Sequence, residues 1–177
     1  MQFRFFELTS NFNLMLLSSG INYNITPNTT ITLNYSYLDV DRSIEATGET
    51  HLFENRLYEQ ISFKHRIDYL TVTNRLRLEN RFLNDVDENT NLNRIRYQLG
   101  ASLNLNKTFF FLINDEVFAN LQNKVFTENR FFAGFGIHIS KHDDLELGYQ
   151  NQKINDAFIN RIQFAINIKT YHYKTKN

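Results

Sequence analysis

Arg75, Arg77, Glu79 and Arg81 occupy every second position of RLRLENRF, with Leu76, Leu78, Asn80 and Phe82 between them. The same kind of side chain recurs at matching spacing in Arg56, in Arg94 and Arg96, and then in Glu116, Arg130, Glu146 and Arg161. A guanidinium is a planar fork of N–H donors that meets a carboxylate or another oxyanion at two points. Two chemistries follow from such a set. The arginines can form a basic constriction that selects a small anionic solute. Alternatively, they and the acidic and amide residues beside them form a structural network.

Other candidates are weaker. His138 and Ser140 share a face two residues apart, as a base and nucleophile would, but no carboxylate is evident beside the histidine to orient it. Asp39, Asp41 and His51 flank one loop and suggest an Asp/His dyad on a loop surface. The loop DVDENTN (85–91) has the look of a calcium loop. It places Thr90 where an EF-hand needs glycine and Arg96 where it needs glutamate, so it is expected to be solvated loop. There is no cysteine, which removes thiolate metal sites, disulfides and a thiol nucleophile. No glycine-rich phosphate loop is present. The expectation is a protein that is not an enzyme and carries neither cofactor nor metal.

The elements that position the arginines are strands. Side chains of a strand alternate between its two faces, so a period of two separates charges from apolar groups. In RLRLENRF the leucines and Phe82 take the face opposite the charges. The clearest case is Leu92–Leu105, where Ile95, Tyr97, Leu99, Ala101, Leu103 and Leu105 oppose Arg94, Arg96, Gln98, Gly100, Ser102 and Asn104. The same alternation marks segments around Met15–Ile25, Thr30–Val40, Leu52–Ile67, Tyr69–Leu83, Thr108–Ala119, Val125–Ile139, Asp144–Gln152 and Phe158–Lys169. With Gln2–Leu8 as a partial strand, about ten strands are expected. Glu59 and Asp115 fall on the apolar parity of their strands. Either they stand beyond the hydrocarbon or a β-bulge shifts the parity.

Tight turns are expected near Thr26–Thr29, Asp68, Asn106–Lys107 and Lys141–Asp143. Longer loops are expected near Asp41–Thr50, Asn84–Asn91, Asn120–Lys124 and Lys153–Ala157. Short turns at one end, longer loops at the other and strands beyond ~9–11 residues are the pattern of a transmembrane barrel. Phe109, Phe110 and Phe111, with Tyr171 and Tyr173, would form an aromatic girdle near one interface.

The 177 residues suit one domain. Nineteen basic and nineteen acidic residues cancel, so no global charge argues for nucleic acid. Mean hydropathy is −0.43, and no stretch approaches the ~18 apolar residues of a membrane helix. A barrel stays open to such a chain because alternation halves the apolar content of each strand. The opening MQFRFFEL has neither the apolar core nor the cleavage site of a signal peptide. It reads as the start of a chain lacking its signal peptide and first strand or strands.

The segments ENRLYEQ (54–60), RLRLENRF (75–82), RIRYQLG (94–100), NDEVFAN (114–120), ENRFFAGFG (128–136) and ELGYQNQ (146–152) together resemble the domain of unknown function 2490 family. That family comprises predicted outer-membrane β-barrel proteins of Bacteroidota. The resemblance covers nearly the whole chain and implies an outer-membrane barrel. It brings no activity, ligand or catalytic residue.

The combined expectation is an all-β protein, an antiparallel up-and-down transmembrane β-barrel of about ten strands, with twelve possible in an untruncated chain. Its lumen would be lined and largely plugged by Arg56, Arg75, Arg77, Glu79, Arg81, Arg94, Arg96, Glu116, Arg130, Glu146 and Arg161. A narrow barrel is filled by its own side chains, which favours a structural network over an anion filter. The role would be structural or that of a narrow, porin-like pore. Outer-membrane lipid and the barrel assembly machinery would be its partners, and a small anionic solute is possible. The alternatives are a soluble ligand-binding barrel and, behind it, an outer-membrane hydrolase or acyltransferase.

Overall fold

A computed structural model describes residues 2–5, 12–41, 51–84, 89–122, 126–140 and 143–168. Among them there is no helix, so none is long and apolar enough to cross a membrane, a fact that does not bear on crossing by strands. The strands are β1 (Gln2–Phe5), β2 (Phe12–Thr26), β3 (Thr29–Asp41), β4 (His51–Ile67), β5 (Leu70–Asn84), β6 (Asn89–Asn104), β7 (Phe109–Asn120), β8 (Glu128–His138), β9 (Asp143–Ile154) and β10 (Ala157–Ile168). Nine of them, β2 to β10, are 11 to 17 residues long, and β1 adds a four-residue segment. They follow one another in the sheet in chain order. Pairing is antiparallel, as between β2 and β3, β3 and β4, β8 and β9, and β9 and β10.

Turn chemistry explains how so few glycines suffice. Asp68 and Asn155 open two-residue turns with φ of 50° and 52°. Their short polar side chains tolerate this left-handed region, where a β-branched residue would not. Between β6 and β7, Asn106 Oδ1 accepts from the backbone N–H groups of Thr108 and Phe109, both at 2.8 Å. Between β8 and β9, the Ser140 hydroxyl donates to Asp143 Oδ2 at 2.8 Å.

The expected asymmetry of the connections is corrected at two places. The β9–β10 connection is the two-residue turn Asn155–Asp156, where a longer loop was expected, and β5 and β6 are only four residues apart. The expected loops at 42–50 and 121–127 do separate their strands by nine and seven residues. Of the two explanations for Glu59, the β-bulge is absent from the pairing of β3 and β4. Their register runs unbroken from Thr29↔Phe63 to Asp41↔His51, and Glu59 stands exposed opposite Leu33.

The chain divides into two compact units. One comprises Met1–Phe63, Arg75–Tyr97 and Phe118–Thr127, and the other Lys64–Asn74, Gln98–Val117 and Glu128–Asn177. In each unit the usual distribution is reversed. In the first, Glu54, Arg56, Glu79, Arg94 and Arg96 are buried, while Leu33, Leu57, Ile61, Leu76, Leu78 and Phe82 are exposed. In the second, Glu116, Glu128, Gln150 and Gln152 are buried, while Leu99, Phe111, Phe135, Leu147 and Phe164 are exposed.

Candidate functional site: a buried arginine–glutamate network

Glu79 is the hub of the first unit. It is 1% exposed and sits midway along β5. Arg94 places Nε and Nη2 on Glu79 Oε2 at 2.8 and 2.6 Å. Arg96 Nη1 donates to Oε1 at 2.7 Å. Arg77 Nη1 lies 3.4 Å and Arg56 Nη1 3.9 Å from the same oxygen. Four guanidiniums therefore converge on one carboxylate.

Beside this hub, Glu54 is a second one. Arg81 meets it in a true fork, with Nε on Oε1 at 2.7 Å and Nη2 on Oε2 at 2.8 Å. Arg56 Nε adds a bond to Oε1 at 2.8 Å. Arg56 thus links the two hubs across neighbouring strands. Aromatic faces cover the cations. The guanidinium carbons of Arg94 and Arg96 lie 5.0 and 4.5 Å from the ring centre of Phe118, and that of Arg77 lies 4.0 Å from Tyr58. Such cation–π contacts are worth ~0.5–2 kcal/mol each, the more so when dry. Arg75 lies half-buried on the same face, two residues from Arg77.

A smaller network occupies the second unit. Glu128 Oε1 accepts from Arg130 Nη2 at 2.6 Å and from Gln152 Nε2 at 2.7 Å. Gln152 Oε1 in turn accepts from Arg161 Nη1. Glu116 is buried on this face, and Glu146 accepts from Asn167 Nδ2 at 2.9 Å. All eleven expected network residues are buried or half-buried. Glu54 and Glu128 were missed, although each shares the parity of the arginine two residues after it. That parity was the signal that could have found them.

Toward the β8–β9 turn this face changes character. Phe110 and Phe132 are each 5% exposed and lie over glycines. A methyl group at Gly136 would overlap the Phe110 ring, and one at Gly148 would overlap Phe132. Glycine is needed here because the rings occupy the space a side chain would take. The girdle expectation is corrected accordingly. Phe109 and Phe111 are exposed and Phe109 stacks on Phe135 at 5.4 Å, but Phe110 belongs to the buried face. Tyr171 and Tyr173 lie outside the described residues.

The His138 reading is also revised. Asp144 supplies the orienting carboxylate, with His138 Nδ1 2.6 Å from its Oδ1. Phe110 stacks on the imidazole at 4.6 Å. The other nitrogen, Nε2, faces Asn104 Oδ1 at 3.4 Å, while the Ser140 hydroxyl is turned to Asp143. Nε2 therefore faces an amide oxygen and not the serine hydroxyl. Asp39 and His51 do meet, Oδ1 to Nδ1 at 2.7 Å, at the end of β3 and the start of β4. That imidazole is exposed, and its hydrogen bond to Asp39 raises its pKa above the ordinary value, against a smaller opposing effect of desolvation. Most of the 85–91 loop lies outside the described residues. Among the described residues no group of three or more His, Cys, Asp or Glu is placed to hold a metal ion.

Compared with known proteins, residues 1–163 match the family model described as "Protein of unknown function (DUF2490)". No curated protein and no solved structure matches the chain.

Proposed function

The chain belongs to that family, DUF2490, and we propose that it is an outer-membrane β-barrel closing with about ten strands, its polar face turned to a largely plugged lumen. Its role is structural, or that of a narrow pore. The observation that carries this reading is the reversal of burial. Exposed strand faces bear Ile21, Leu33, Ile61, Leu78, Leu147 and Ile162, the last 76% exposed, while glutamates and arginines are buried. A protein surrounded by water loses stability by such an arrangement. One surrounded by hydrocarbon gains by it, because lipid takes the place of a core. The strand lengths agree, since a tilted strand crosses with ~9–11 residues.

The buried network then acts as the plug. Charges that little water reaches must be met by partners, and the Glu54 and Glu79 hubs meet them with charge-assisted bonds. Outer-membrane lipid and the barrel assembly machinery are the partners this reading implies. A soluble ligand-binding barrel would turn Arg94 and Arg96 outward, and both are buried.

The test is direct. The folded full chain should partition into the detergent phase and migrate faster on a gel before boiling than after. Planar-bilayer recordings should show small conductance or none. A chain that stays monodisperse in water without detergent overturns the reading. A large, steady conductance overturns the plug alone.

A further inference from the structure

Glu59 is exposed at the midpoint of β4, opposite Leu33 of β3 and between the exposed Leu57 and Ile61. Its carboxylate makes no hydrogen bond or ion pair among the described residues. It lines an open hollow of about 180 Å³ together with Leu78, Asn80, Asn93 and Leu121, all of them exposed. Glu79 and Arg94, which neighbour these residues in the chain, complete the lining. One wall is held by the chain leaving β7. There the Leu121 N–H donates to the Asn93 carbonyl and the Asn93 N–H donates to Gln122 Oε1, both at 2.9 Å. The side-chain amides of Asn80 and Asn93 have no partner among the described residues. The hollow therefore offers a carboxylate and two amide oxygens, with leucines beside them. Its depth follows from the strand. Counted back from the tight turn at Asp68, Glu59 is the ninth residue of β4. A tilted strand crosses with ~9–11 residues, so a membrane around this unit would change from hydrocarbon to headgroups at about the level of Glu59.

We infer that this hollow binds the headgroup of a membrane lipid that ends in a primary ammonium. The inference rests on the membrane reading above, which supplies the lipid and the depth. An ammonium is a compact cation with three N–H donors and no acceptor. Glu59 answers the charge, and the amide oxygens of Asn80 and Asn93 are acceptors for the remaining donors. Toward the Asp68 turn, the exposed Ile61 and Leu76 continue as apolar surface for the acyl chain. A trimethylated headgroup has the same charge but no N–H to donate, so these acceptors discriminate against it. A free amine in water gains the head contacts and forgoes the apolar surface. All the residues of the hollow belong to the first unit.

The experiment uses the full chain folded in micelles of a neutral maltoside detergent. Phosphatidylethanolamine and phosphatidylcholine with the same acyl chains are added in equal amounts, and retained lipid is counted by native mass spectrometry. The expected result is one phosphatidylethanolamine retained at least fivefold over phosphatidylcholine. Glu59→Gln, an exposed and nearly isosteric change, should bring that ratio to about one. Asp115→Asn removes another exposed carboxylate, one that already accepts from Asn129 Nδ2 at 2.8 Å, and should leave the ratio unchanged. Equal retention of the two lipids by the unaltered chain overturns the inference. So does a preference that survives Glu59→Gln, or one lost as fully in Asp115→Asn. A Glu59→Gln chain that dissociates from an oligomer with its lipid ratio unchanged assigns the carboxylate to a protein contact and also overturns it. A chain that enters micelles yet holds both lipids equally sinks this inference alone. A chain that is monodisperse in water without detergent sinks the membrane reading, and the lipid with it.

Discussion

At the scale of single residues, the molecule is organised by which carboxylate each guanidinium reaches. Glu79 is touched or approached by four arginines, so its charge neutralises more of the surroundings than any one arginine does. Breaking a buried ion pair from one side leaves the other side uncompensated and costs about 3–5 kcal/mol. Glu79→Gln keeps the shape and removes the charge, so a loss in that range is expected in denaturant unfolding of the folded chain. Adding Arg96→Gln should recover part of it. A cost below about 1 kcal/mol would mean that the hub is well hydrated and the network is not a plug.

His51 supplies the pH-dependent counterpart at the strand end, outside the apolar run. Its pKa lies above the ordinary histidine value because the folded state holds the imidazolium against Asp39. The contact therefore stabilises fully below the unfolded pKa, and its contribution disappears as pH rises through the higher folded pKa. An NMR titration should place the His51 midpoint above about 6.5. Asp39→Asn should bring it down, and an unchanged midpoint would remove Asp39 as the cause.

At the scale of elements, alternation alone separates the two faces, because parity is a local property of a strand. Leu76, Leu78 and Phe82 are exposed and Glu79 is buried, as the spacing of RLRLENRF implies. What parity cannot give is register, which depends on turn length. Asp144 stands opposite His138 only because the connection at 139–142 sets that pairing. In the same way, Glu54 receives Arg81 from 27 positions along the chain. Parity also sets Phe110 apart from Phe109 and Phe111, and grouping all three in one girdle is what the burial of Phe110 overturns. The rings over glycines make a further element-scale prediction. Gly136→Ala must displace the buried Phe110 ring. Overpacking of this kind costs about 1–3 kcal/mol. The penalty should shrink in a Phe110→Leu background, measured as a double-mutant cycle by thermal unfolding. Additive losses would show that the ring simply swings aside.

At the scale of the whole molecule, the reversal of burial appears among the residues of both compact units. It also gives the sharpest contrast between solvents. Phe135, Leu147 and Phe164 are aligned across β8, β9 and β10 and are all exposed. On a water-facing sheet, Leu147→Arg replaces one exposed side chain with another and changes stability by no more than about 0.5 kcal/mol. On a lipid-facing sheet, the same arginine near mid-depth costs about 2–4 kcal/mol. Gln163 provides the control, because it is half-buried on the opposite face of β10, paired with Gly148. Gln163→Arg places the same charge where Arg161 and the polar network already are, and should cost much less. The measurement is the folding equilibrium of the three chains into lipid vesicles over a urea gradient. A large penalty confined to Leu147→Arg is the expected outcome. Equal, small effects at both positions would return the apolar face to water and remove the ground for a membrane role.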